Sequence, residues 1–142
     1  MNPEKIKIGH IVLPNKPLTN DELIRAAKEL KIPNFRGVYL RDTLPKKPKL
    51  EECGIFNLDD FFGSGTHWVC WWKRRDKAYY FDSFGLSPPI EFIDYIHPNK
   101  NIFYNTEQIQ PRDQIFCGHL CLYVLKEMTK DGNLQRIIND LY

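Results

Sequence analysis

The chain has 142 residues, of which 42% are hydrophobic and 13% aromatic, and a formal net charge of +2. That is enough to fold one domain around its own core, spanning residues 1–142, and too little for two; it excludes a disordered chain, and the small charge gives little support for nucleic-acid or membrane-surface binding. No apolar run reaches the length of a membrane span, and Met1–Lys7 is polar rather than signal-like, so an intracellular protein is expected, with reduced thiols at Cys53, Cys70, Cys117 and Cys121 and no disulfides.

Residues 1–17 carry Pro3, Pro14 and Pro17 and read as an extended N-terminal arm, in which Ile6-Lys7-Ile8 alternates like a short edge strand. Thr19-Asn20-Asp21-Glu22 fits a capping box and predicts a helix whose Leu23, Ala26, Ala27 and Leu30 share one face, closed by Pro33. Arg36–Leu40 reads as a strand, Asp42–Leu50 as a loop rich in proline and lysine, Cys53–Leu58 as a buried strand and Asp59–Gly65 as a turn punctuated by Gly63 and Gly65.

His67–Trp72 and Ala78–Phe81 are aromatic and β-branched and flank the charged segment Lys73–Lys77. A hairpin centred between Arg74 and Arg75 sets His67 opposite Asp82 at its open end, an imidazole facing a carboxylate. Pro88-Pro89 predicts a helix running through Ile96 with Ile90, Ile93 and Ile96 inward. Asn101–Tyr104 reads as a last short strand, and Thr106–Phe116 as a polar connection that brings Gln110 in ahead of Cys117. From Gly118 to Lys126 the apolar residues are dense enough for a helix buried on most sides; Lys130-Asp131-Gly132 stops it, and Leu134, Ile137, Ile138 and Leu141 form a final helical stripe.

Cys117 therefore falls at the start of a core helix, where unpaired N–H groups and the macrodipole favour an anion such as a thiolate. With His67 it makes a thiolate–imidazolium couple able to attack an acyl carbon; Asp82 would orient the imidazole, and the Cys117 N–H with a side-chain amide would complete an oxyanion site. Each residue also has a plain structural reading: Cys117 and Cys121 as small core residues, His67 as a strand-end histidine, Asp82 as the cap of the turn into Ser83, and Gln110 as one loop amide among several. Their agreement in order and location favours the chemical reading. Zinc is the rival chemistry, but Cys117, His119 and Cys121 lack the usual knuckle spacing and do not share a helix face, so no metal is assigned.

The combination Gly65-Thr66-His67-Trp68, Tyr80-Phe81-Asp82-Ser83-Phe84-Gly85, Gln110 and Cys117-Gly118 resembles the adenovirus-type processing cysteine proteases (adenain-like), most nearly those of Polinton/Maverick elements and virophages, and more distantly the Ulp/SENP SUMO proteases. Gln110 stands seven positions before Cys117, as in adenain, and the likeness runs from about Leu18 to Lys126, taking in Phe35–Tyr39 and Glu52–Asn57. The resemblance implies an α+β fold with a central, mostly antiparallel sheet and the nucleophile at the N-terminus of a core helix. It implies His67 as general base and acid, Asp82 as its orienter, Gln110 in the oxyanion hole and Cys117 as nucleophile, with Trp68 and Gly118 as substrate-binding residues and Trp68 walling a narrow tunnel suited to glycine-containing sites. The adenovirus enzyme has glutamate at the position of Asp82, whereas the SUMO proteases have aspartate.

The implied activity is a cysteine endopeptidase that matures capsid or core precursors of a virus or virus-like transposon. It would act as a monomer inside the infected host cell, with the virion as a second location, on protein substrates and without a cofactor. No peptide or DNA activator carries over, because little chain follows the Cys117 helix. An isopeptidase acting on ubiquitin-like modifiers is the alternative with the same chemistry, for which 142 residues leave little docking surface. A catalytically silent binding module is the alternative of another class, and the presence of all four catalytic residue types weighs against it.

Overall fold

The computed structural model describes residues 5–59, 67–98, 101–110 and 115–142. Gly63, Gly65 and Thr66 of the sequence readings lie outside them. The N-terminal arm doubles back as a hairpin of β1 (Lys5–Ile8) and β2 (Ile11–Pro14), and alternation turns Ile8, Ile11 and Leu13 into the core. Helix α1 (Asn20–Glu29) opens with the expected capping box: Thr19 Oγ1 accepts from Glu22 N, and Glu22 Oε1 accepts from Thr19 N. Such a cap stabilises a helix by about 1 kcal/mol.

The central sheet has the order β3-β4-β5-β6-β7, formed by β3 (Phe35–Leu40), β4 (Glu51–Asn57), β5 (Trp68–Arg74), β6 (Lys77–Phe81) and β7 (Asn101–Tyr104). Its middle ladders, β4·β5 and β5·β6, are antiparallel, while the outer ones, β3·β4 and β6·β7, are parallel. The α+β class with a central sheet is as expected; the sheet itself is mixed. Helix α2 (Ile90–Ile96) bridges β6 and β7, the kind of crossover a parallel pair requires.

Strand β5 is covered on both faces, which is why it reads as continuous aromatic and apolar sequence without polar alternation. Trp68, Cys70 and Trp72 point to the face carrying α1 and helix α3 (Cys117–Asp131); Val69 and Trp71 point to the face carrying α2. On the α3 side Leu23, Leu30, Leu122 and Leu125 are wholly buried, each contributing about 1.5–3 kcal/mol of transfer free energy. Gly132, at φ 64°, ends α3 by donating its N–H to Met128 O, and α4 (Leu134–Leu141) folds back with Leu134, Ile137 and Ile138 inward.

On the opposite side the inward residues of α2 are Phe92, Tyr95 and Ile96, while Ile90 and Ile93 are 62% and 40% exposed, so the expected face is corrected. Phe92 and Tyr95 enter an aromatic cluster with Phe56, Trp71 and Tyr80. The hydroxyl of Tyr95 also reaches the buried carboxylate of Glu52, which accepts from Trp71 Nε1 at 2.9 Å and Arg36 Nη1 at 3.2 Å as well. Those polar partners have no equivalent on Ile90 or Ile93, and they settle which face turns inward.

Candidate active site

Cys117 is the first residue of α3, and no side chain caps that helix end. The sulfur is nearly buried and accepts a hydrogen bond from the Trp68 N–H at 3.4 Å. Trp68 begins β5, so the neighbouring His67 sits at the strand's mouth, held through Leu58 N to its carbonyl at 2.9 Å. The end of one strand and the start of one helix thus meet at the thiol.

His67 Nε2 and Asp82 Oδ1 are 2.7 Å apart, in a setting where Asp82 is wholly buried. The hairpin reaches this contact with a different register from the expected one. Its turn is Arg75-Asp76, with Arg75 at φ 55°, and its pairs run Arg74↔Lys77 to Cys70↔Phe81. Each residue's partner has moved by two positions, which preserves the face it points to. His67 and Asp82 therefore remain on one face, as diagonal rather than direct neighbours, and the residue that register sets opposite His67 is Phe84. The two rings stack, with centroids 3.8 Å apart and planes inclined by 5°.

Asp82 Oδ1 also accepts the Phe84 N–H at 2.7 Å, an Asx-type turn. The turn-capping reading of Asp82 and the histidine-orienting one thus hold together. Behind it, buried Asn105 grips the Asp82 main chain: Oδ1 accepts from Asp82 N at 3.1 Å and Nδ2 donates to Asp82 O at 2.7 Å.

The titration of the pair follows from these contacts. Burial opposes charge on His67, but the Asp82 carboxylate and the Cys117 sulfur outweigh it and raise the imidazole to about 9. Burial likewise pushes the Cys117 thiol up; the His67 ring, the Trp68 N–H and the Gly118 N–H overcome this and hold it below the ordinary cysteine value. With Nε2 engaged by Asp82, the ring nitrogen left for the sulfur is Nδ1, which forms no hydrogen bond of strict geometry. Hydrogen bonds of this kind are often long before substrate arrives. A thiolate beside an imidazolium is equipped to attack an electrophilic carbon and then return a proton to a leaving group.

Gln110 is buried beside Asp82 rather than exposed on its loop. Its N–H donates to Ser83 O at 3.0 Å, and its Oε1 accepts from Ser83 Oγ at 2.8 Å. It lines a cavity of about 380 Å³ together with Phe116, the residue before Cys117. Trp68 is fixed by its Nε1 donating to Leu18 O at 3.0 Å, and Gly118 packs against Trp68, Leu18 and Leu23. All four cysteines are free, and burial pushes the Cys53 and Cys121 thiols up. His119 turns Nε2 to Pro14 O at 2.9 Å, so it and Cys117 look in different directions.

Sequence reading brings Cys117, His67, Asp82 and Gln110 to one region; the structure sets Cys117 and Asp82 beside His67 and ties Gln110 to Ser83, the residue after Asp82. It does not anticipate Phe84, Ser83 or Asn105. Phe84 and Ser83 are within the quoted Tyr80–Gly85 signature, so a corrected register would have found Phe84; nothing local marks Asn105.

No protein-family model matches the chain, and no curated protein does. Among solved structures it is similar to the crystal structure of ASFV pS273R protease, with TM-score 0.61 and 18% identity over 90% of this chain and 63% of that one. The Se-Met form of the same protease gives TM-score 0.61 and 18% identity, over 90% of this chain and 64% of that one. This chain therefore spans less than two thirds of the protease it resembles, and the likeness shows a shared fold, that of the Ulp/adenain-type proteases. Among the described residues no helix is long and apolar enough to cross a membrane.

Proposed function

We propose that the chain is a cysteine endopeptidase acting as a single protease domain. One observation carries the reading: the Cys117 sulfur lies between the Trp68 N–H and the His67 ring, with the buried Asp82 carboxylate behind that ring. The likeness in fold to a solved protease supports it.

In the first step the Cys117 thiolate attacks the scissile carbonyl carbon and the carbonyl π electrons move onto oxygen. That oxyanion is met by the Cys117 N–H and the Gln110 amide. Collapse breaks the C–N bond; the amine leaves with the proton from His67 Nδ1, and a thioester remains on Cys117. Water then gives a proton to Nδ1 while its oxygen attacks the thioester, and the acid departs as Sγ regains its thiolate. Asp82 keeps the proton on Nε2 and the ring in place throughout.

The substrate reading is a glycine-containing site in a structural precursor of a virus or virus-like element of the adenovirus or Polinton/virophage kind, cleaved inside the infected cell. The Trp68 ring is immobilised by its bond to Leu18 O and packs against Gly118, next to Cys117, and on this reading it narrows the approach to the thiol so that a residue without a side chain fits best. The test is cleavage of a glycine-containing peptide series by the wild type and by Cys117→Ala. The variant should keep the native circular-dichroism spectrum and lose turnover, and replacing glycine by valine at the cleaved site should abolish cleavage. Turnover retained by Cys117→Ala overturns the nucleophile; indifference to valine overturns the glycine preference.

A further inference from the structure

We propose that Ser83 is a positioning residue that decides which end of the Gln110 carboxamide faces the thiol; this rests on the reading of Gln110 as an oxyanion donor. A carboxamide has one end that donates and one that accepts, and only the NH₂ end stabilises a developing oxyanion. Turned half a revolution, the same side chain would present Oε1 and repel the charge.

The structure holds Gln110 at two points from one residue. The Ser83 carbonyl accepts the Gln110 main-chain N–H at 3.0 Å, and the Ser83 hydroxyl donates to Gln110 Oε1 at 2.8 Å. Ser83 is wholly buried and Gln110 nearly so, at 2% exposure, so neither has water as a ready alternative partner. Among the described residues Oε1 of Gln110 is the partner of that hydroxyl, so a flipped amide would strand a buried proton. With Oε1 committed to Ser83, the donating Nε2 end is the one turned away from Ser83.

The same dipeptide thus serves both halves of the site: Asp82 holds the imidazole through its side chain, and Ser83 holds the amide through its own. A shift of one would be felt by the other, and the experiment must separate the two routes.

The test is Ser83→Ala, with Ser83→Cys as a weak-donor intermediate, each combined with Gln110→Ala. Removing an oxyanion donor typically costs about 10²–10³ in kcat; a misoriented one should cost Ser83→Ala about tenfold, with KM within twofold. The double variant Ser83→Ala/Gln110→Ala should be no slower than Gln110→Ala alone. The pH profile of Cys117 alkylation by iodoacetamide, which needs the thiolate and His67 but no oxyanion hole, should stay where it is in Ser83→Ala. Additive losses, or a moved alkylation profile, overturn the proposal, because Ser83 would then act through the fold or through Asp82. A readout independent of turnover is the ¹⁵N-edited NMR signal of the Gln110 NH₂, which should shift and lose its protection from solvent exchange in Ser83→Ala. A wild type that cleaves no peptide overturns the protease reading and leaves that signal to decide the geometry: an unchanged NH₂ signal in Ser83→Ala overturns the proposal as well.

Discussion

The ring of His67 lies flat against the ring of Phe84, 3.8 Å between centroids, while the Phe84 N–H holds the carboxylate that His67 bonds. One residue therefore touches both partners of the ion pair behind the thiol. A phenyl face beside an imidazolium favours the charged ring by about 0.5–2 kcal/mol. Phe84→Leu keeps the main-chain contact to Asp82 and removes the π face. Its expected effect is to lower the His67 pKa by about 0.4 to 1.4, since about 1.4 kcal/mol corresponds to one pKa unit. NMR titration of the His67 ring protons reads this directly; an unmoved titration would show that the stack only packs.

The pH window of the pair follows from the direction of its two shifts. Cys117 is held below its ordinary value of 9.0 and His67 is raised to about 9, so the charged couple exists between the two. Alkylation of Cys117 should level off at a lower pH than that of a free thiol, instead of climbing through 9. Peptide turnover should fall above about 9, where His67 loses the proton the leaving amine needs, while alkylation persists because the thiolate remains. Alkylation that tracks a single titration near 9 would remove the ion pair from the description.

Much of this site was legible because its partners sit in locally patterned sequence. The capping box of α1 and the apolar run after Cys117 each encode their element within one or two helical turns. The His67–Asp82 pairing survived a misplaced turn because a shift of two positions conserves the face. The turn itself was not legible: Arg75-Asp76 lacks a glycine or asparagine, and it is fixed from outside. Arg75 N donates to Leu50 O at 2.8 Å, and the Lys73 ammonium ties the carbonyls of Lys49, Leu50 and Arg75 together. The inward face of α2 was hidden for the same reason, since its deciding partner, Glu52, is 43 residues away from Tyr95. Parallel pairing at both sheet edges depends on crossovers, which leave no local trace.

Asn105 is the distant group on which the orientation of Asp82 most depends. Its amide replaces the strand partner that the Asp82 main chain lacks, donating to its carbonyl and accepting from its N–H. Asn105→Ala leaves the Asp82 N–H unpaired in a buried place, while the Asp82 carbonyl keeps the Gly85 N–H at 2.8 Å, and should cost about 1–3 kcal/mol of stability. Urea denaturation measures that loss, and alkylation of Cys117 should weaken at neutral pH as Asp82 drifts from His67. Asn105→Asp keeps the acceptor and removes the donor, so it should not restore the profile. A destabilised variant with an unchanged alkylation profile would confine Asn105 to the fold.

Two glycines separate stability from site geometry. A Cβ at Gly54 would stand 2.4 Å from the Trp71 ring, which lies directly across the ladder from it. That ring cannot withdraw easily: its Nε1 donates to Glu52 Oε2 at 2.9 Å, and Phe56, Phe92 and Tyr95 surround it. Gly54→Ala should therefore cost about 1–3 kcal/mol, the usual range for overpacking, and lower the urea midpoint. Trp71 is on the α2 face and Cys117 on the other, so alkylation of the folded protein should be unaffected. At Gly118 the added Cβ would meet Leu23 and Trp68 at 3.3 Å, a milder crowding, and alanine gains about 1 kcal/mol over glycine within a helix. Gly118→Ala should thus leave stability nearly level while pressing on Trp68, whose N–H holds the sulfur, and slow alkylation at neutral pH. If Gly54→Ala slowed alkylation and Gly118→Ala did not, the assignment of the two sheet faces to core and site would have to be exchanged.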